Sequence, residues 1–213
     1  MRRSGIVAVV LGLAACAGTP SRTAPCVIAC DTAGDLAAFD FTDAAAFRFA
    51  RDDAAGDGCL ELFQAAKYEP PFRSPLGLAI VRGVEFGDGV LRVKARQTGR
   101  EYPHRDLVFV IGYVDSAHFV YAHLATKGDD NAHHLMLVDG AARRPVTTWR
   151  TEGVQWGGGW HDVAVRRRGT HVEVSFDGAS VLVGEVPAWR GRVGVGSFDD
   201  TGRFRELVVV GAE

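Results

Sequence analysis

The chain predicts an all-β fold, an antiparallel two-sheet β-sandwich. Two observations carry this. Apolar runs of five to eight residues recur about every ten residues, each closed by a short polar turn. No long segment with helical periodicity separates them, so neighbouring strands pair antiparallel in two packed sheets.

The first stretch is an address rather than a fold element. Arg2 and Arg3 precede an apolar run from Ile6 to Ala15, too short for the roughly 20 residues that span a bilayer. Positive charge, apolar run and small residues in that order mark a secretory signal, here residues 1–15. Leu13-Ala14-Ala15-Cys16 resembles a bacterial lipoprotein lipobox. The resemblance implies cleavage before Cys16, lipidation of Cys16 and a membrane association through that anchor alone. Ala17, rather than Asp, favours the outer membrane of a bacterial envelope. Residues 16–30 then read as the lipidated cysteine and a flexible, Pro-containing tether, and residues 31–213 as one sandwich domain.

The cysteines beyond Cys16 are Cys26, Cys30 and Cys59. An oxidising compartment allows one disulfide and leaves one thiol over. The pair expected is Cys30–Cys59, with Cys26 as the alternative to Cys30. Cys26 and Cys30 as a metal site ranks below the bridge, because no second ligand pair stands at zinc spacing.

Asp31 to Phe49 reads as Ala-rich and aromatic turns with a helical turn near Asp43–Ala46. The expected strands follow. They are Cys59–Gln64, Leu76–Arg82, Val90–Arg96, Leu107–Tyr113, His118–Leu124, His133–Asp139, Val146–Arg150, Trp160–Arg168, His171–Phe176, Val181–Val186, Arg192–Phe198 and Phe204–Val210. Gly87-Asp88-Gly89 and Asp177-Gly178 are turn signals between them. Val163-Ala164-Val165-Arg166 and Val172–Phe176 alternate apolar and polar, as strands with one wet side do. Leu107–Tyr113 is apolar on both sides and belongs at the centre of its sheet.

Charge bears on partners. The chain holds 24 basic and 26 acidic residues. Without Arg2 and Arg3 the balance is 22 against 26, or −4. No basic stripe appears, and nucleic acid is not an expected partner.

Five of the seven histidines fall between Tyr102 and Val138: His104, His118, His123, His133 and His134. On His118–Leu124 one face carries Phe119, Tyr121 and His123. A hairpin through Ala125–Ala132 returns His133 or His134 beside His123, depending on a one-residue register. Such a face suits a glycan or small sugar, with imidazoles bonding hydroxyls and rings packing on the sugar. The same imidazoles beside Asp129 and Asp130 could hold a divalent metal. The reading weighed against both has Phe119 and Tyr121 as core. His104-Arg105-Asp106 precedes the central strand. There Asp106 either orients His104 as a general base or pairs with Arg105 in a salt bridge. Trp149, Trp156 and Trp160 flank Gly157-Gly158-Gly159. Trp156 is the expected exposed platform and the other two are expected core.

Several segments together carry a wider resemblance. They are Phe72-Arg73-Ser74-Pro75-Leu76, Tyr102-Pro103-His104-Arg105-Asp106, Phe119-Val120-Tyr121-Ala122-His123 and Trp160-His161-Asp162-Val163, with Gly194 to Gly202 leading into Phe204-Arg205-Glu206-Leu207. From about Asp35 to Val210 the chain resembles the concanavalin A-like lectin/glucanase jelly roll. More narrowly it is similar to secreted bacterial domains of the 3-keto-disaccharide hydrolase-like and laminin-G-like groups. That fold hosts lectins, hydrolases and adhesion modules. The resemblance implies carbohydrate recognition first, and a hydrolase acting on 3-keto-disaccharides or a protein-interaction module as alternatives. In the hydrolase, His104, Asp106 or His123 would move protons. It also implies that the acidic turn Asp199-Asp200-Thr201-Gly202 could bind Ca²⁺. The E-x-D-x-E strand of the laminarinase-type enzymes is absent, which argues against their retaining chemistry. No G-x-S-x-G elbow, phosphate-binding glycine loop or H-E-x-x-H is present.

Overall fold

The structure is a computed structural model that describes residues 25–52 and 56–211. The signal stretch and Cys16 lie outside the described residues. Sixteen strands are described. They are β1 (Cys26–Ile28), β2 (Phe39–Phe41), β3 (Phe47–Arg51), β4 (Gly58–Leu62), β5 (Gly77–Val81), β6 (Gly89–Gln97), β7 (Asp106–Asp115) and β8 (His118–Ala125). They continue with β9 (His134–Asp139), β10 (Arg144–Pro145), β11 (Thr147–Arg150), β12 (His161–Arg168), β13 (His171–Phe176), β14 (Ala179–Glu185), β15 (Arg192–Ser197) and β16 (Gly202–Gly211). The helical turn expected near Asp43 is a 3-10 turn, Ala44–Ala46, which the Asp43 carboxylate caps from the Ala45 N–H.

The strands form two antiparallel sheets. The larger runs β11-β14-β13-β12-β6-β16-β4-β3, with β1 paired to β16. The smaller runs β10-β9-β8-β7-β15-β5-β2. All twelve expected strands are present. Four short ones, β1, β2, β3 and β10, add to them. The first three, of three to five residues, sit at the stretch read as tether and Ala-rich turns, whose composition masks them.

The main core lies between the sheets. Leu107, Phe109 and Ile111 of β7 and Val120, Ala122 and Leu124 of β8 meet Leu91, Val93, Val163, Val165 and Phe204 of the facing sheet. β7 is central, between β8 and β15, as its two-sided apolarity predicts. Gly196 of β15 lies against the Gly77 carbonyl of β5, where a Cβ would collide. A larger residue there would push the two strands apart.

A second apolar cluster lies on the outer face of the smaller sheet. It joins Leu78, Ile80, Val108, Val110, Phe119, Tyr121, Met136 and Val138, with Phe72 and Tyr113 packed on it. Strands apolar on both faces must be covered on both faces, and the segment between β4 and β5 supplies the cover through Phe72. This corrects the expectation of an open, wettable aromatic face.

The expected Cys30–Cys59 bridge is not formed, and Cys26, Cys30 and Cys59 are free thiols. The physical reason is alternation along β4. Leu60 and Leu62 point into the core, where Cys30 also packs. Cys59 points the other way, and its thiol donates to the Ala50 carbonyl at 3.5 Å. Burial pushes the Cys30 thiol up to about 12 and also raises Cys59. Thiolate is the reactive form. Native protein at about pH 8 should therefore leave Cys30 and Cys59 unalkylated by iodoacetamide, and both should react once guanidinium unfolds the chain. Peptide mass spectrometry reads this directly, and a Cys30–Cys59 cross-linked peptide would overturn it.

Candidate functional site

The site grows from the hairpin of β7 and β8. Val108 lies opposite His123 and Asp106 opposite Ala125, so Asp106 and His123 are diagonal neighbours on the outer face at one end of the sheet. His123 Nε2 stands 3.0 Å from Asp106 Oδ2, both side chains buried. The contact is at ion-pair distance but off hydrogen-bond geometry, so His123 Nε2 has no hydrogen-bond partner. Arg143 Nη1 is 3.5 Å from His123 Nδ1 and donates to the Tyr121 hydroxyl at 3.2 Å. The Arg143 guanidinium lies 4.2 Å from the centre of the half-buried Phe198 ring.

The other side of Asp106 is held by the turn after β15. Ser197 Oγ donates to Asp106 Oδ1 at 2.8 Å, and the Phe198 N–H donates to the same oxygen at 3.2 Å. The Asp106 N–H donates to Asp200 Oδ2 at 2.9 Å, and the Tyr102 hydroxyl donates there at 2.8 Å. Burial pushes Asp200 up to about 6 against these donors, with the Asp106 and Asp199 charges adding to the rise. At the mouth, His104 Nε2 pairs with Asp129 Oδ2 at 2.6 Å. Asp129 Oδ1 accepts from the Asn131 and Ala132 N–H groups. This joins the loop before β7 to the loop before β9. The result is a cleft of about 250 Å³ lined by Asp106, His123, Arg143, Arg73, Phe198 and Asp199, with Tyr102, His104 and Asn131 at its margin.

Asp106, His123 and His104 thus come together, but Asp106 stands against His123, and His104 pairs with Asp129. Arg105 turns away, as the residue next to Asp106 on a strand must. It is buried, and its Nε donates to Gln97 Oε1 at 2.6 Å. Phe119 and Tyr121 are 1 % and 0 % exposed and belong to the outer apolar cluster, so they do not face a ligand. Only the Tyr121 hydroxyl reaches the site, through Arg143.

The histidine pair resolves differently from expectation. His134 lies directly opposite His123, but its ring bonds the Thr147 hydroxyl and the Asp129 carbonyl and holds the loop. His133, at φ 61, turns inward and is fully buried, with Nε2 at 3.0 Å from the Thr151 hydroxyl. Neither lines the cleft. Trp156 is also buried, packed edge-on against Phe176, and is no platform. Trp149, expected in the core, is 49 % exposed on β11 at the sheet edge. Trp160 is half-buried under the Arg205 guanidinium.

The acidic residues regroup as well. Among the described residues, Asp106, Asp199 and Asp200 bring carboxylate oxygens within 4.8 Å of one another. Asp129 is taken by its own turn and by His104, and Asp130 is exposed. Oxygen donors suit Ca²⁺ in kind, but three fall short of the six to eight that ion takes. Asp106 and Asp200 are moreover already held by protein donors. The residues that sequence reasoning missed are Arg143, Phe198, Ser197 and, as a lining residue, Arg73. Arg143 sits in a Gly-Ala-Ala-Arg-Arg loop with no local signal, and only the folded chain carries it to His123.

No protein-family model matches the chain, and no curated protein matches its sequence. Solved structures do share its fold. The carbohydrate-binding module CBM66 from Bacillus subtilis superposes with a TM-score of 0.55 at 9 % identity, over 80 % of this chain and 93 % of that one. A Bacillus subtilis protein of unknown function with a galectin-like fold superposes with a TM-score of 0.54 at 9 % identity, over 89 % and 97 %. The chain shares with them a jelly-roll-like sandwich of two antiparallel sheets. At these identities the likeness is one of fold.

Burial, followed by the nearby charge of Arg150, lowers the His133 imidazole from 6.5 to about 4. The folded protein keeps this ring neutral in a pH range where the unfolded chain protonates it. Stability is therefore present above about pH 6.5 and falls as pH drops toward about 4. His133→Asn accepts the left-handed backbone and removes the titration. Denaturation near pH 7 and near pH 4.5 should show a smaller acid loss for the variant, by on the order of 2 kcal/mol. Identical losses in both proteins would count against this placement of His133.

Proposed function

We propose that this chain recognises carbohydrate, a glycan or small sugar, in the Asp106–His123–Arg143 cleft, and that it does so without catalysis. The observation that carries the reading is a small, polar cleft in which Asp106, His123 and Arg143 are already held against one another. Sugar hydroxyls both donate and accept. Arg143 and Arg73 offer donors, Asp199 and Asp106 offer acceptors, and Asn131 offers both. Groups held before binding lose little freedom on binding. His123 is set between Asp106, 3.0 Å from Nε2, and Arg143, 3.5 Å from Nδ1, and its side chain is buried, which gives it little reach into the open cleft as a base. The fold likeness to a carbohydrate-binding module supports the reading as scaffold. The lipobox-like start supports a tethered position in a bacterial envelope, lipidated at Cys16 and facing outward from the outer membrane or into the periplasm.

A hydrolytic role, of the kind suggested by the 3-keto-disaccharide hydrolase-like resemblance, has one observation in its favour. Asp200 at about 6 beside Asp106 and Asp199 resembles a carboxyl kept protonated for acid work. It is sealed by Tyr102 and the Asp106 N–H, so substrate would have to displace one of them.

Arg143→Ala should weaken glycan binding at least about tenfold, or about 1.4 kcal/mol, read by a glycan array and then by calorimetry on the hits. A variant that keeps full affinity, or a wild type without hits, would sink the reading. Reducing sugar released from 3-keto-disaccharides by wild type and lost in Asp200→Asn would replace it with the hydrolase.

A further inference from the structure

The cleft does not end at Phe198. A second hollow of about 580 Å³ begins on the same two residues, Arg73 and Phe198, and continues past Ser74 and Pro70 to Tyr68 and Lys67. A third, of about 520 Å³, shares Lys67, Tyr68 and Glu69 with the second and runs on to Gln64 and Asp43. We propose that these hollows form one track and that the ligand is an oligosaccharide of more than one unit, with Tyr68 as the platform for a unit beyond the cleft. This deepens the reading above and rests on it.

Three features support a track rather than separate dents. The wall is continuous, because consecutive hollows share side chains. The lining changes along it in the way a sugar chain requires. The cleft is rich in charged and amide groups that fix one residue by its hydroxyls. The second hollow offers a half-buried tyrosine and Pro70 beside exposed Lys67 and Glu69. An aromatic ring with polar neighbours suits the C–H face and hydroxyl edge of a further sugar.

The track is also built beforehand. The segment between β4 and β5 carries Tyr68 and is pinned on both sides of it. The Phe63 N–H donates to the Ala46 carbonyl at 3.0 Å, and the Lys67 N–H donates to Asp43 Oδ2 at 2.8 Å. Gln64 Nε2 donates to the Ala45 carbonyl at 3.1 Å. At the far end the Leu76 N–H donates to the Phe198 carbonyl at 3.2 Å, which ties the segment to the cleft itself. A wall fixed before binding adds affinity without an ordering cost.

The test is a chain-length series. Linear gluco-, xylo-, galacto- and fructo-oligosaccharides, from monosaccharide to hexasaccharide, are titrated into wild type and Tyr68→Ala by calorimetry. For the sugar that binds, wild-type affinity should climb at least about tenfold between monosaccharide and trisaccharide. Tyr68→Ala should lose that climb and keep monosaccharide affinity within about twofold. Thermal melting confirms that the variant is folded, and Lys67→Ala serves as a second probe should it not be. Affinity independent of length, or an equal loss for short and long sugars, overturns the track and leaves the cleft standing. Failure of every sugar to bind wild type overturns the cleft and the track together.

Discussion

One buried carboxyl group, Asp106, organises this end of the molecule. A polar group taken out of water must find partners or cost several kcal/mol. Asp106 finds them on both sides. One oxygen accepts from Ser197 and the Phe198 N–H, and the other faces His123. Its own N–H reaches Asp200. These contacts draw the turn after β15 onto the start of β7. Tyr102 follows through Asp200. The cleft is the space left where these segments meet.

The second constraint is that the smaller sheet is apolar on both faces. Alternation along β8 sends Val120, Ala122 and Leu124 into the main core and Phe119 and Tyr121 to the outside. Large rings on the outside demand a cover, and Phe72 and Tyr113 provide one. Cover over the middle of the sheet leaves polar chemistry only at its end, where the outward positions become Asp106 and His123. The covering segment also brings Arg73 and Tyr68 to that end. Site and cover are therefore one feature: the chain that seals the rings builds the wall of the cleft.

Much of the fold was readable in the residues and much of the site was not. Two-residue periodicity is a local property, so the twelve expected strands and the central place of Leu107–Tyr113 follow from sequence. Asp106 and His123 were both singled out, although with different partners. The rings of Phe119 and Tyr121 were misread because alternation says that two faces exist and not which of them meets water. The failed Cys30–Cys59 bridge is the same error in small, since Cys59 and Leu60 point opposite ways and only the packing says which points inward.

The amino-acid order alone thus determined the class of fold, the strand positions and the residue types available for chemistry, because each depends on neighbours along the chain. Tertiary structure decided what those residues do. It set His134 against His123 yet gave its ring to a loop, buried His133 at a positive φ, and carried Arg143 from a featureless loop to the imidazole. Those outcomes depend on register and on loops packing across a sheet, and such contacts join residues that no local pattern connects.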